Sequence, residues 1–295
     1  MFVEAIEAVD LFTRPIHTLS RTYGGLLIPG SSTLFFVNDE GVAVTCKHVA
    51  GLIAQAEGLN GQYGQFRAER DALPRDGRFK KNLGGLEAKY GYRPETLIQM
   101  KHHFVNAFDR IDTIDFHFHP TLDLAIVVFK GFTKTFYTSH ATFMADPNQI
   151  KQGRSLCRLG YPFPEYTNYR HNPATDDIEW TAEGNPHSPR FPIDGIITRF
   201  AASEAGGAPT SIELSTPGLM GQSGGPLFDR AGRVYGMQSM TNHLHLGFDM
   251  ENAEIVRQGR RVKVSNYPFL HVGHCVHVDR ITEFLRGNGV RFFEG

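Results

Sequence analysis

Cysteine is scarce in this chain of 295 residues, which contains only Cys46, Cys157 and Cys275. The three are odd in number and far apart. They therefore form neither the even, closely spaced set of a secreted disulfide scaffold nor the CxxC pair typical of zinc sites and redox couples. We expect reduced thiols and a cytoplasmic protein, with no metal site and no cofactor.

An excess of charge is also missing. Lys and Arg total 30 and Asp and Glu total 31, which gives a net charge of −1. Nucleic acids and anionic membranes attract basic surfaces, so we expect neither as a partner. No segment approaches the roughly 18 consecutive apolar residues of a membrane helix. Near the N-terminus, Glu4, Glu7 and Asp10 interrupt the apolar residues, which is not the pattern of a secretory signal.

Glycine and phenylalanine, in contrast, are plentiful, with 31 and 23 residues. Short apolar runs separated by Gly, Asn and Asp are typical of strands joined by tight turns. Helical spacing of Ile281, Phe284 and Leu285 predicts a helix over 279–286, and a short helical turn is predicted at 50–54. The predicted strands are 33–37, 42–46, 111–118, 122–129, 155–159, 196–202, 210–214, 225–228, 234–240 and 272–278.

These runs divide into two β-rich halves. Residues 1–23 are predicted as an N-terminal extension, 24–140 as the first half and 141–295 as the second half with its C-terminal helix. Polar composition predicts one insertion at about 55–110 and another at about 242–270. Long irregular loops in compact domains are often functional, so both insertions are candidate binding surfaces.

The strongest local signal is the segment GLMGQSGGPLF at 218–228, in which four glycines flank Ser223. Glycine lets the backbone turn sharply and brings amide groups close to a ligand. A nucleophile at Ser223 would place the amides of Gly221 and Ser223 around one point, as in an oxyanion hole. A glycine-rich hairpin turn with an incidental serine is the alternative.

A serine hydroxyl needs a base and the base needs an orienting carboxylate. His48 directly follows the apolar run VAVTC, whose backbone would hold the imidazole in one orientation. Asp123 begins the run DLAIVVF, where a carboxylate is costly unless it is hydrogen-bonded. Asp109, Asp112 and Asp115 lie nearby in more polar surroundings and are weaker candidates.

Three segments, VTCKHVA, LDLAIVV and GQSGGP, resemble the signature segments of trypsin-like (chymotrypsin-fold) serine peptidases, in that family's order of His, Asp and Ser. GYP at 160–162, GRVYGMQS at 232–239 and VGHCVHVDRITEFL extend the resemblance to the catalytic core of bacterial HtrA-type peptidases, without an evident peptide-binding domain. The resemblance implies an all-β fold of two six-stranded antiparallel β-barrels with a C-terminal helix and long loop insertions. It also implies a serine endopeptidase that works through an acyl-enzyme intermediate.

Carried over to this chain, the resemblance makes Ser223 the nucleophile, His48 the general base and acid, and Asp123 its orienting partner, with an oxyanion hole at Gly221 and Ser223. Gln222 stands where digestive members carry an Asp that receives a freed N-terminus, so we expect no propeptide processing.

Substrate specificity is predicted from the residues that the resemblance places around the pocket. They contain no carboxylate to bind Arg or Lys, which predicts a neutral pocket for a small-to-medium apolar side chain of a peptide or protein substrate. An alternative is a catalytically silent or partner-gated peptide-binding module of an intracellular regulatory or defence system, with a regulatory protein bound at the insertions. The predicted pocket residues are Pro217, Gly218, Ser239, Met240 and Thr241.

Overall fold

The computed structural model describes residues 1–202, 204 and 206–295. Strands dominate this part of the chain and form two main sheets. None of the helices in the described residues has the length and apolar composition needed to span a bilayer. The helices are α1 (Val3–Asp10), α2 (Lys47–Asp71), α3 (Phe79–Tyr90) and α4 (Val278–Gly287), with a short 3-10 turn at Pro147–Gln149.

The first sheet contains six antiparallel strands in the order β4-β1-β2-β3-β6-β5. Its end strands, β4 and β5, do not pair with each other in the described structure, so this sheet is a half-barrel. Helix α2 packs against β4, β5 and β6 on the open side. The strands are β1 (Thr13–Thr22), β2 (Leu27–Phe36), β3 (Val42–Thr45), β4 (Leu97–Phe104), β5 (Thr113–Phe118) and β6 (Ala125–Lys130).

The second sheet closes into a six-stranded barrel, because β13 pairs with both β8 and β14 at the two ends of the order β13-β8-β11-β12-β17-β14. Two short strands, β7 and β18, extend it in parallel beside β14. The barrel strands are β8 (Ser155–Arg158), β11 (Ile193–Ala201), β12 (Ser211–Leu214), β13 (Pro226–Phe228), β14 (Val234–His245) and β17 (Phe269–His277), and the short strands are β7 (Thr142–Phe143) and β18 (Phe293–Glu294).

One continuous apolar core runs through both sheets. Phe35 and Ile126 from the half-barrel and Leu227 from the barrel are fully buried in it, and α4 adds Leu285 from its amphipathic face. Burial of this size is the main stabilising contribution to such a fold. A smaller cluster lies beneath α2 and α3 and consists of Tyr63, Phe66, Leu86, Tyr92 and Ile98.

Two strands of the half-barrel lie where no strand was predicted. Strand β1 falls within residues 1–23, the predicted extension, and pairs with both β2 and β4. Strand β4 falls within the predicted insertion at 55–110. In β1, polar residues such as His17 and Ser20 are buried on both faces, so the strand has no apolar alternation to recognise. His17 Nε2 finds its partner far away in the sequence, at the Ser188 hydroxyl 2.9 Å away.

Helix α2 is much longer than the predicted turn at 50–54. Gly51, Gly58, Gly61 and Gly64 lie along it, and each glycine in a helix interior costs about 1 kcal/mol relative to alanine. Buried residues including Ile53 and Phe66 hold the helix against the half-barrel. Tertiary packing therefore overrides a weak local helix propensity here.

The segment 242–270 contains regular structure where only local order was predicted. Strands β14 and β17 remain paired out to His245 and Phe269, beyond the body of the barrel. Between them lies a separate hairpin of β15 (Met250–Arg257) and β16 (Arg260–Asn266). Most residues of this hairpin are exposed.

A hairpin of β9 (Tyr169–Asn172) and β10 (Asp177–Trp180) lies between barrel strands β8 and β11 in the chain and packs against β4 of the half-barrel. In its turn, the carboxylate of Asp176 accepts hydrogen bonds from Arg21 on β1 at 2.8 Å, from Tyr63 at 2.8 Å and from Arg70 at 2.9 Å, the last two on α2. We call Asp176, Arg21, Tyr63 and Arg70 the Asp176 clasp. It fixes α2 to a segment between β8 and β11 of the barrel.

Candidate active site

His48 lies in the first turn of α2, directly after β3, and Asp123 lies just before β6. Because β3 and β6 are paired neighbours, their ends bring the two side chains together. The Nδ1 atom of His48 is 2.9 Å from Oδ2 of Asp123, and the His48 backbone N–H donates to Oδ1 at 3.0 Å. A carboxylate can only accept, so Nδ1 carries the proton and Nε2 of the neutral ring can accept one.

The Asp123 carboxylate is ionised at every physiological pH. Burial would raise its pKa, but hydrogen bonds from His48 and from the Ser239 hydroxyl lower the pKa of Asp123 to about 2. Ser239 donates to Oδ2 at 2.6 Å. Asp123 is therefore a fixed negative charge that holds the imidazole from one side.

The weaker carboxylate candidates have other partners. Asp109 accepts hydrogen bonds from Thr133 and Lys134, and Asp115 pairs with Lys130. In the part of the chain that the structure describes, neither these two nor Asp112 forms a hydrogen bond with His48.

Cys46, His48 and Asp123 are the one group of three or more metal-ligating side chains whose ligand atoms converge in the described residues, lying within 4.8 Å of one another. Burial, followed by the nearby Asp123 charge, raises the pKa of the Cys46 thiol well above its ordinary value. The protonated sulfur donates to the Gln238 carbonyl at 3.2 Å. Since metals bind the thiolate, this cluster favours a hydrogen-bonded carboxylate–imidazole pair over a metal centre.

Ser223 lies on the loop that leads into β13, and this loop packs directly against β2 of the half-barrel. Thr33 on β2 donates its N–H to the Ser223 carbonyl at 3.0 Å and its hydroxyl to the Gly221 carbonyl at 2.9 Å. Gly224 has φ +88°, and a Cβ there would lie 2.0 Å from the Thr33 carbonyl oxygen. Only glycine fits at this close approach.

The amide groups around Ser223 fall into two kinds, those with a hydrogen-bond partner in the protein and those without one. The Gln222 side chain accepts from the Leu219 N–H at 2.9 Å and donates to the Phe191 carbonyl at 2.8 Å, so it fixes the loop from inside. The N–H groups of Gly221 and Ser223, in contrast, donate to no protein acceptor in the described residues. Two donors on one tight loop therefore remain available to a ligand.

Ser223 lines two adjoining cavities. The first, of about 230 Å³, also contains His48 and Gly221, and we call it the His48 cavity. The second, of about 410 Å³, we call the Met240 cavity; it contains all of the predicted pocket residues, Pro217, Gly218, Ser239, Met240 and Thr241, with Leu219, Met220, Gln238, His243 and His271.

The two cavities form one cleft that His48, Ser223 and the five predicted pocket residues line, with Asp123 hydrogen-bonded to His48 beside it. Within that cleft, the Ser223 hydroxyl donates to the Ser239 carbonyl at 3.2 Å, and no hydrogen bond joins it to His48 in the described structure. In enzymes without substrate, hydrogen bonds between catalytic groups are often long or poorly aligned.

Arg158 is the residue near the cleft that sequence analysis missed. It lies on β8, is fully buried, and donates to the Gln238 side chain, the Pro217 carbonyl and Thr216. A charged residue inside the apolar run SLCRLG was the available signal, since Arg is almost never fully buried without a specific partner.

Solved structures similar to the chain include the HtrA-type protease AlgW with a decapeptide, at 12% sequence identity and a TM-score of 0.49, covering 97% of this chain and 67% of that chain. A variant of AlgW with a tripeptide gives 12% identity and a TM-score of 0.48, covering 97% of this chain and 63% of that chain. This chain therefore spans about two thirds of the length of those proteins. No curated protein matches it.

The family assignment covers most of the sequence. Residues 32–237 match the trypsin-like peptidase domain, a range that includes His48, Asp123 and Ser223. The predicted resemblance and the predicted chymotrypsin-type all-β fold are both confirmed, with the qualification that the first of the two barrels is a half-barrel. The chain belongs to the trypsin-like peptidase family.

Proposed function

We propose that this protein is a serine endopeptidase that hydrolyses peptide bonds through an acyl-enzyme intermediate. One observation supports it above all others. Asp123 holds the protonated Nδ1 of His48, which leaves Nε2 as a base in the cavity that also contains Ser223. A base fixed by a hydrogen-bonded carboxylate beside a serine is the arrangement that activates a hydroxyl nucleophile.

In the proposed reaction, Ser223 Oγ attacks the scissile carbonyl carbon while its proton passes to His48 Nε2. The carbonyl oxygen becomes an oxyanion and accepts from the free N–H groups of Gly221 and Ser223. The C–N bond then breaks and His48 returns the proton to the leaving amine. A water molecule attacks the ester carbon and gives a proton to His48. The bond from the acyl carbon to Ser223 Oγ then breaks, and His48 passes the proton to Oγ, which releases the carboxylic acid and restores the Ser223 hydroxyl.

The Met240 cavity is the proposed site for the substrate side chain next to the scissile bond, since it adjoins Ser223 and contains the predicted pocket residues. The proposed substrate is a peptide or protein. Gln222 satisfies its own hydrogen bonds inside the loop, so we expect the active enzyme to need no new N-terminus.

A partner-gated enzyme or a peptide-binding module of the same fold is the second candidate. The observation that favours it is the hydrogen bond from Ser223 to the Ser239 carbonyl, which takes the hydroxyl away from His48. A partner bound at the exposed hairpin of β15 and β16 would then be needed to realign the hydroxyl.

Labelling with a fluorophosphonate probe tests both candidates. We expect the wild-type chain to be labelled at Ser223, on a protein whose intact mass corresponds to the full unprocessed chain plus the adduct. Ser223→Ala is the control and should not be labelled. Labelling only after a cell fraction is added would support gating, and no labelling under either condition would reject the peptidase.

A further inference from the structure

The buried Arg158 guanidinium lies directly behind the Met240 cavity. Its NH2 group donates to the Pro217 carbonyl at 2.9 Å and to the Thr216 carbonyl at 3.0 Å, and its NH1 group donates to Gln238 Oε1 at 2.7 Å. Pro217 and Gln238 are both lining residues of the cavity. The charge is therefore in direct contact with two residues of the cavity wall.

This charge has no counter-charge in the part of the chain that the structure describes. All of its acceptors are neutral oxygens, its Nε atom has no partner, and it forms no ion pair. Glu213, a buried carboxylate on β12, two strands away in the barrel, is paired with Arg199. Burial lowers the pKa of Arg158, but a guanidinium stays protonated in proteins. A buried cation with only dipolar partners leaves a net positive field around it.

The Gln238 side chain lies between Arg158 and the cavity. Its Oε1 accepts from Arg158 and from the Cys275 thiol, so the amide is fixed with Nε2 on the other side, 2.7 Å from the Met240 carbonyl. The amide Nε2 bears two hydrogens, of which the Met240 carbonyl takes one. Gly218 lies against Nε2, so close that a Cβ at this position would be 2.4 Å from it. The positive end of the amide dipole therefore meets the wall of the cavity.

The exposed rim of the cavity adds no negative charge. His243 and His271 line it, with their Nδ1 atoms 2.6 Å apart, and no Asp or Glu is among the described lining residues. The Asp123 carboxylate lies behind the lining residue Ser239, which donates to it at 2.6 Å, whereas Arg158 lies behind Pro217 and Gln238. A carboxylate bound on the Gln238 side of the cavity would therefore meet the buried cation, and an ammonium there would be repelled.

We propose that the Met240 cavity selects an acidic side chain, Asp or Glu, at the residue whose carbonyl Ser223 attacks. The inference rests on the proposed function and names its substrate class. It replaces the neutral apolar pocket expected from the sequence, because that expectation did not include Arg158.

Peptides that differ at a single position test the proposal on the wild-type enzyme. Matched substrates carry Glu, Gln, Asp, Asn, Leu or Lys before the scissile bond, and kcat/KM is measured for each. We expect kcat/KM for the Glu or Asp peptide to exceed that of its own amide by at least about tenfold, which corresponds to about 1.4 kcal/mol, and the Lys peptide to be the poorest substrate. The proposal would be overturned if the Gln and Asn peptides were cleaved as well as the Glu and Asp peptides. It would also be overturned if the Leu peptide were preferred to both acidic peptides.

Two variants test the origin of the preference. Gln238→Glu keeps the shape of the side chain and supplies the missing counter-charge to Arg158, so the acid-to-amide ratio should fall to about one or below. Arg158→Met removes the charge and should have the same effect, with its thermal unfolding measured to show that the chain is folded. An acid preference unchanged in Gln238→Glu would overturn the proposal even if Arg158→Met does not fold.

Failure of the inference can be told apart from failure of the proposed function. If the fluorophosphonate probe labels Ser223 but acidic and amide peptides are cleaved equally, the proposed peptidase activity is kept and the proposed acidic specificity is rejected. If the probe does not label Ser223, peptide binding is measured instead. Fluorophore-labelled versions of the Glu and Gln peptides are titrated with the full chain, and fluorescence anisotropy gives the two affinities. About tenfold tighter binding of the Glu peptide would support the pocket assignment, and equal binding would reject it.

Discussion

Replacing Asp176 by Asn tests how strongly the Asp176 clasp holds α2. Asn has almost the same shape and tolerates the left-handed backbone that Asp176 adopts, with φ 48°, so the change removes the charge and little else. Arg21 is then left with its side chain only 4% exposed and without a counter-charge. Breaking a buried ion pair by removing one partner costs about 3–5 kcal/mol. Since Arg70 and Asp176 are each about a quarter exposed, we expect the low end, about 3 kcal/mol.

Urea unfolding followed by circular dichroism measures this loss directly. In a thermal scan, about 3 kcal/mol corresponds to a decrease in Tm of about 6–12 °C, at about 2–4 °C per kcal/mol for proteins of this size class. Asp115→Asn is the matched control, because the Asp115–Lys130 pair is more than half exposed on both sides and such pairs contribute at most about 1 kcal/mol. Equal losses in the two variants would refute the reasoning.

The pH dependence gives a second test of the same variant. Burial would raise the pKa of Asp176, but hydrogen bonds from Arg70, Tyr63 and Arg21 outweigh it and hold the pKa well below its usual value. A carboxylate with a depressed folded-state pKa stabilises the protein above its unfolded-state value of about 3.9 and loses that contribution as the pH falls further. The difference between wild type and Asp176→Asn should therefore be constant above about pH 5 and shrink in acid. A difference that grows in acid would contradict this assignment.

Two further substitutions test the site. Asp123→Asn should slow fluorophosphonate labelling by about 10³–10⁴-fold, because the amide no longer fixes the tautomer of His48, and a loss below about tenfold would reject the orienting role. Gly224→Ala should lower the free energy of unfolding by several kcal/mol, since its Cβ would lie 2.0 Å from the Thr33 carbonyl oxygen. Gly259→Ala, also at positive φ but with no atom within 4 Å of the added Cβ, should cost only about 1 kcal/mol, and equal losses in thermal unfolding would refute the steric argument.

Strands that lie in short, largely apolar runs could be predicted from the sequence almost to the residue. The predicted strands 42–46 and 155–159 correspond to Val42–Thr45 and Ser155–Arg158. These runs are buried on both faces, so their composition alone identifies them. Strand β1 could not be predicted, since the partners of its buried polar residues lie on distant segments.

The candidate site, too, could be predicted only in part from the sequence. The order of the His, Asp and Ser motifs indicated which residues belong together, and the structure brings His48 to within 2.9 Å of Asp123. The position of Arg158 behind the cavity wall could not be predicted, because its hydrogen bonds reach Thr216 and Gln238, 58 and 80 residues further along the chain. Only the closed barrel brings these positions together.

The contact between Thr33 and the Ser223 loop has a consequence for biosynthesis. It joins the Thr33 hydroxyl to the Gly221 carbonyl across 188 residues of chain, so the loop acquires its shape only after both sheets have been synthesised and have folded against each other. Closing so large a loop is entropically costly and belongs to the late steps of folding. An unfinished chain on the ribosome therefore lacks the assembled Ser223 loop until the second sheet has been synthesised.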